Sequence, residues 1–170
     1  MKSIKNIVFL GMMGSGKTSI ARLVSKKLKL DFFDIDECIE KELKISISEI
    51  FKKNGEKFFR GLEEKITLEI IKKKNIVIAL GGGAFMNKNI REMVLSNHLS
   101  FWLKLSPQIV IKRIQKSSKR PLAFKATKNE LLDIIKKRSK IYTKAKYHIN
   151  CDDLSKNDIV KKVIKFYETN

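Results

Sequence analysis

Short apolar runs alternate with longer amphipathic stretches along the whole chain. Ile7-Val8-Phe9-Leu10, the run from Ile76 to Leu80 and the run from Phe101 to Leu105 are rich in β-branched and aromatic residues and end at turn-forming residues. Continuous hydrophobicity of this kind, without polar alternation, is the pattern of strands covered on both faces, as in parallel sheets. Asp31-Phe32-Phe33 and Tyr147 to Asn150 are weaker strand candidates. Between them, apolar positions recur at helical spacing over 17–29, 36–44, 46–53, 56–73, 87–96, 107–116, 128–143 and 156–167. Start signals accompany several of these helices. Ser46 with Glu49 and Thr127 with Glu130 form capping boxes, and Pro107 follows Ser106 at a first helical position.

Strand and helix taken in turn predict an α/β fold, a three-layer sandwich in which a five-stranded parallel sheet is flanked by helices. A length of 170 residues suits one domain, 1–170, and no repeat, low-complexity tract or Pro/Ser linker divides it. The longest nearly uncharged apolar stretch, Ile76 to Met86, is interrupted by three glycines and is too short to span a bilayer, so no membrane partner is expected. Lys2 and Lys5 ahead of Ile-Val-Phe-Leu-Gly-Met-Met imitate a secretory leader, but the glycine-lysine sequence that follows explains the run better. Cys38 and Cys151 have neither metal-ligand nor framework spacing, and reduced thiols point to the cytoplasm.

The charge is unbalanced: 37 Lys and Arg oppose 18 Asp and Glu, a formal net charge of +19. Such an excess suits an anionic partner: nucleic acid, a membrane surface or a phosphorylated small molecule. Only six of the basic residues are arginine, at 22, 60, 91, 113, 120 and 138, and the lysines are spread over every segment as solvated faces are. Clustered arginines, interleaved aromatics and a basic stripe on one element are all missing, which argues against a nucleic-acid partner. The arginines are therefore the basic residues most worth placing.

All eight glycines lie between Gly11 and Gly83. The first group, Gly11-Met12-Met13-Gly14-Ser15-Gly16-Lys17-Thr18, has the P-loop spacing between a predicted strand and a predicted helix. In such a loop backbone N–H groups cradle phosphate oxygens at a helix N-terminus, Lys17 reaches the β- and γ-phosphates, and Thr18 ligates Mg²⁺. The chain thus handles a nucleoside triphosphate. A GTPase switch would need Asp three residues before a glycine, and none stands there; a motor ATPase would end the buried strand in a carboxylate, yet Ile76 to Leu80 ends in Gly81. Ser155-Lys156-Asn157-Asp158 faintly resembles a guanine-reading motif but reads better as a helix cap.

Two further features call for a second substrate. Asp34 and Asp36 are spaced so that, in extended backbone, both project to one side at a strand's carboxyl end, where open α/β sheets bind ligands. One carboxylate there suits Mg²⁺ held through water and the other an acceptor hydroxyl, while the alternative for either is to cap the following helix. Gly81-Gly82-Gly83 directly after the most apolar strand is either a place where backbone meets ligand closely or a plain turn.

Taken together, Gly11 to Thr18, Phe33-Asp34-Ile35-Asp36, Ser46 to Phe51, Gly55-Glu56, Phe58-Phe59-Arg60, Glu63, the triple glycine, Arg120-Pro121-Leu122 and Arg138 with Tyr142 closely resemble the shikimate kinase family, in order, as far as about Tyr147. The resemblance implies a P-loop NTPase fold of the nucleoside-monophosphate-kinase type. It implies transfer of the ATP γ-phosphoryl group to the 3-hydroxyl of shikimate, with Mg²⁺, in a cytoplasmic monomer of the route to chorismate. ATP would be held by Gly11, Gly14, Ser15, Gly16, Lys17, Thr18, Ser19, Arg113 near the adenine, and Arg120. Shikimate would be held by Asp34, Asp36, Arg60, Gly81, Gly82, Gly83 and Arg138, with Arg60 and Arg138 gripping its carboxylate. Lys17, Asp36 and Arg120 would be catalytic, Asp36 as proton acceptor, and Thr18 and Asp34 would lie at the metal. Residues 34–63 become the substrate-binding segment and about 115–128 a lid carrying Arg120. Glu63 either orients Arg60 or forms an i,i+3 surface ion pair with it. Departures from the family pattern are Ser19 for a common Thr, Ala21 for a common glycine, and no proline in 151–158, which leaves the base contacts there unassigned. A kinase of another polyol acid, such as gluconate, or of a nucleoside monophosphate is the rival reading.

Overall fold

In the computed structural model, which describes residues 5–116 and 126–170, five parallel strands form one sheet in the order β2-β3-β1-β4-β5. In chain order the elements are β1 (Ile7–Leu10), α1 (Lys17–Leu28), β2 (Asp31–Asp34), α2 (Ile35–Leu43), α3 (Ile47–Ile70), β3 (Ile76–Ala79), a 3₁₀ turn (Ala84–Met86) and α4 (Lys88–Asn97). β4 (Leu99–Lys104), α5 (Pro107–Gln115), α6 (Lys128–Tyr142), β5 (Tyr147–Asn150) and α7 (Lys156–Glu168) follow. The five strands and the expected helices are thus where the apolar pattern put them.

The central strands β1 and β3 are buried along their whole length, which is why their sequences show no polar alternation. α1 packs against α7 on one face; α3 packs against α4, and α5 against α6, as right-handed crossovers on the other face require. Asn6 joins two of these layers below the sheet. Its buried side chain donates to the carbonyls of Ile71 (3.2 Å) and Lys73 (2.7 Å) and accepts from Ile76 N–H (3.2 Å), tying the end of α3 to the start of β3.

Register fixes where the loops emerge. Phe9 of β1 pairs with Ala79 of β3 and Phe101 of β4, and Asp34 of β2 pairs with Ala79, so the carboxyl ends of these strands are level. The loop after β1, the Asp34 corner and the triple glycine after β3 consequently stand side by side. The chain leaves β1 toward β2 and later returns across it to β4, and ligands bind at such a reversal of strand order.

α3 is one helix only in outline. Gly55 has φ 80° and ψ 172°, a backbone region essentially reserved for glycine, and separates the two helical segments expected at 46–53 and 56–73. Ser46 and Thr127 form their capping boxes as expected, and Ser155 caps α7 by accepting from Asp158 N–H, so the sequence resembling a guanine reader is a cap.

Candidate active site

The loop between β1 and α1 turns through three glycines with positive φ, and Gly16 in the left-handed region directs the chain into α1 at Lys17. Gly11 also has no room for a side chain, since a Cβ there would lie 2.8 Å from the Leu103 carbonyl of β4. Lys17 is buried, and its ammonium donates to the carbonyls of Gly11 (2.9 Å) and Met12 (2.8 Å), which folds the charge against its own loop. Arg113 reaches over from α5 and donates to the Gly14 carbonyl at 3.0 Å. The buried Ser15 hydroxyl finds no hydrogen-bond partner among the described residues, a polar atom ready for an oxygen-rich ligand in the loop. Ser19 lies on the exposed side of α1, and Ala21 is fully buried.

Asp34 and Asp36 do not sit on one extended strand. Asp34 ends β2, and its Oδ1 accepts from the N–H groups of Asp36 (3.0 Å) and Glu37 (3.3 Å), so α2 starts at once and Asp36 falls in its first turn. The capping alternative holds for Asp34, but its other oxygen does separate work: Oδ2 accepts from Thr18 Oγ1 at 2.6 Å. A hydroxyl and a carboxylate oxygen, both hard donors, thereby meet at the start of α1. No cluster of three or more His, Cys, Asp or Glu able to hold a metal occurs among the described residues. The pair suits a divalent cation that draws its remaining ligands from phosphates and water, as Mg²⁺ does.

The triple glycine is where the second group of residues converges, and each of its positions is crowded by a different side. A Cβ on Gly81 would stand 2.5 Å from Glu63 Oε1 and 2.8 Å from Asp36 Oδ1. One on Gly82 would stand 3.1 Å from Met13 N and 3.5 Å from Arg138 Nη1, and one on Gly83 2.7 Å from both terminal nitrogens of Arg60. The segment is therefore no plain turn: the side chains of α2, α3 and α6 close on it and leave its backbone as the floor of the site.

Glu63 explains the seat of Arg60. It is only 2% exposed, and its Oε2 accepts from Arg60 Nη1 at 2.6 Å, so the pair joins a buried acid to a partly buried arginine and is not the exposed ion pair that i,i+3 spacing allows. Its Oε1, aimed at Gly81, has no hydrogen-bond partner among the described residues. Burial pushes the Glu63 carboxyl above its ordinary value and Asp36 adds to this, while Arg60 and Arg138 oppose it. Arg60 is further steadied by Glu56 at 3.4 Å and by the Phe59 ring at 5.1 Å. From α6, Arg138 Nη1 donates to the Gly82 carbonyl at 3.2 Å, and the buried Tyr142 hydroxyl donates to the same oxygen.

Of the residues expected to form the site, the P-loop group, Asp34, Asp36, Arg60, the three glycines, Arg113 and Arg138 line one continuous region at the strand ends. Arg120 lies outside the described residues, as does most of the expected lid 115–128. The burial of Glu63 and the hydrogen bond of Tyr142 were not legible as site features. The Arg60/Glu63 and Arg138/Tyr142 spacings put each pair on one helix face, but nothing local shows which faces turn inward.

Comparison with known proteins points to one family. The shikimate kinase family model matches residues 13–168. A shikimate kinase of Thermodesulfovibrio yellowstonii is 39% identical over 166 residues, covering 97% of this chain and 96% of the relative, and one of Bacillus subtilis is 38% identical over 163 residues, covering 95% and 88%. Among solved structures, a shikimate kinase from Acinetobacter baumannii in complex with shikimate superposes with a TM-score of 0.92 at 29% identity, covering 99% of this chain and 96% of the other. A deoxyadenosine kinase from M. mycoides shares the fold alone, with a TM-score of 0.64 at 16% identity over 97% of this chain and all of the other.

Proposed function

The chain belongs to the shikimate kinase family, and from that premise we infer that it transfers the γ-phosphoryl group of ATP to the 3-hydroxyl of shikimate, giving shikimate 3-phosphate and ADP for aromatic amino acid biosynthesis. The observation that carries the reading is the meeting of two unlike half-sites at the level strand ends. One is a P-loop with a buried lysine, the other a glycine floor flanked by two guanidinium groups and two carboxylates.

Each half-site has its own chemistry. The P-loop N–H groups, the Ser15 hydroxyl and Lys17 receive the phosphates of ATP, with Arg113 on the nucleotide side of the loop. Thr18 and Asp34 would hold Mg²⁺, which supplies charge neutralisation on the transferring phosphate. Arg60 and Arg138 present planar, multiply donating groups suited to the shikimate carboxylate, and the Glu63 carboxylate keeps Arg60 turned toward Gly83. Asp36, half-buried beside Gly81, accepts a hydrogen bond from the acceptor hydroxyl and takes its proton. Phosphoryl transfer has a loose transition state, so positioning and charge neutralisation by Lys17 and Arg120 outweigh the base. Residues 34–63 act as the substrate-binding segment and 115–128 as the lid that keeps water from competing as acceptor.

We read the protein as a monomer working in the cytoplasm on small molecules, with neither nucleic acid nor membrane as partner. Exposed lysines such as Lys26, Lys27, Lys136, Lys161, Lys162 and Lys165 fit a solvated surface. No helix among the described residues is long and apolar enough to cross a membrane. The test is a coupled ADP-release assay over shikimate, gluconate and nucleoside monophosphates. Turnover with shikimate and near-background rates with the others are expected; preference for a nucleotide acceptor would overturn the assignment.

A further inference from the structure

Tyr142 is buried to 1% exposure at the last turn of α6, and the chemistry above gives it no task. A phenylalanine would fill the same volume and bring no polar atom. A buried hydroxyl is costly unless bonded, and this one is bonded: it donates to the Gly82 carbonyl. Its ring packs against Trp102 of β4, with centroids 5.8 Å apart, and its hydroxyl lies 3.8 Å from Met12 Sδ in the P-loop. The side chain thus bridges the sheet, the P-loop and the glycine floor.

The Gly82 peptide is the node of this arrangement. Its carbonyl accepts from Tyr142 and also from Arg138 Nη1 at 3.2 Å, two donors one turn apart on the same helix. On its other side there is no slack, since a Cβ at Gly82 would meet Met13 N at 3.1 Å. We propose that Tyr142 is a positioning residue: by holding the Gly82 carbonyl it fixes the glycine floor against the P-loop and sets the angle at which Arg138 offers its remaining donors to the substrate carboxylate. A guanidinium has five N–H donors in a rigid fork, so committing one edge to a fixed carbonyl orients the others. Without the phenol, Arg138 alone satisfies that carbonyl and turns further onto it, away from the substrate. Burial pushes the Tyr142 phenol up to about 12, so it remains a donor throughout the neutral range.

This inference rests on Arg138 being a carboxylate clamp, and the experiment separates the two ideas. Steady-state kinetics would compare wild type, Tyr142→Phe, Arg138→Ala and the double variant. The acceptors are shikimate and its neutral methyl ester, with thermal midpoints to verify folding. Tyr142→Phe should raise the shikimate KM about three- to tenfold, with the ATP KM unchanged. It should have little effect on the ester, and none on shikimate in the Arg138→Ala background. Equal losses for acid and ester, or an equal effect in both backgrounds, would reduce Tyr142 to a packing residue and overturn the proposal. An unchanged shikimate KM in Tyr142→Phe, with a raised one in Arg138→Ala, would overturn the proposal and leave the clamp standing. An unchanged KM in Arg138→Ala would remove the clamp and the proposal with it.

Discussion

Replacing Gly83 with alanine would place a methyl carbon 2.7 Å from both terminal nitrogens of Arg60 and 2.8 Å from its central guanidinium carbon. The backbone at Gly83 has φ −104° and ψ −13°, ordinary for any residue, so the substitution carries no conformational strain. Everything it does must come through the side chain it meets. To restore ordinary contact at about 3.4 Å, the guanidinium must withdraw by about 0.7 Å. Arg60 is a flexible chain and can do so, but it is also bound to Glu63 at 2.6 Å, and a withdrawn guanidinium no longer presents its fork to a carboxylate above Gly83. A misaligned charge-assisted hydrogen bond costs about 1.5–3 kcal/mol, which corresponds to a rise of about ten- to hundredfold in the shikimate KM. The coupled ADP-release assay with shikimate varied at saturating ATP, and the converse, measures this directly. The ATP KM should hold and the thermal midpoint should move by no more than a few degrees. Refutation would be a shikimate KM within twofold of wild type in a folded variant, since Arg60 would then not be seated over Gly83 for substrate. A fall in ATP affinity of the same size would be equally damaging, because the perturbation would have spread to the P-loop.

Other positions separate backbone, metal and burial effects. Gly55→Ala meets no atom within 4 Å, so its cost is purely the φ of 80°; about 1–3 kcal/mol of strain should lower the calorimetric midpoint by roughly 3–10 °C, and an unchanged midpoint would mean that the bend of α3 does not depend on glycine. Asp34→Asn keeps an acceptor for the α2 cap but loses the charge beside Thr18. The Mg²⁺ concentration for half-maximal rate should rise at least about tenfold with stability nearly intact, and an unaltered Mg²⁺ titration would exclude Asp34 from the metal site. The Tyr142 phenol ionises near 12 in the fold against an ordinary 10.0, so between these values the unfolded chain has lost a proton that the folded chain retains. Stability from this group must therefore fall as pH rises: the advantage of wild type over Tyr142→Phe in urea unfolding should shrink by about 1.4 kcal/mol by pH 11, and a constant difference would show that the phenol titrates normally.

Much of this molecule is determined locally and was readable as such. The uninterrupted apolar runs at Ile7 and Ile76 specify strands covered on both faces, and the glycine spacing from Gly11 to Gly16 specifies a phosphate loop, because each depends on residues adjacent in the chain. Ser46 with Glu49, Thr127 with Glu130 and the break at Gly55 are likewise contacts or dihedral preferences spanning a few residues. For Asp34 and Asp36 the extended reading gave way to the capping alternative, since Asp34 starts α2 at once and Asp36 falls in its first turn.

What tertiary structure alone decided is which side chains share a space. Glu63 and Arg60 have the spacing of a surface pair, and only the docking of α3 beside the strand ends buried the acid of the pair and raised its pKa. The pattern at Gly81, Gly82 and Gly83 left a close approach to ligand and a plain turn both open, and it gave no sign that α2, α3 and α6, from residues up to 60 positions away, fill the spaces where side chains would be. Such contacts arise from sheet order and register, which bring the ends of β1, β2 and β3 level. A one-dimensional pattern records the period of a helix face but carries no term for the face it will meet.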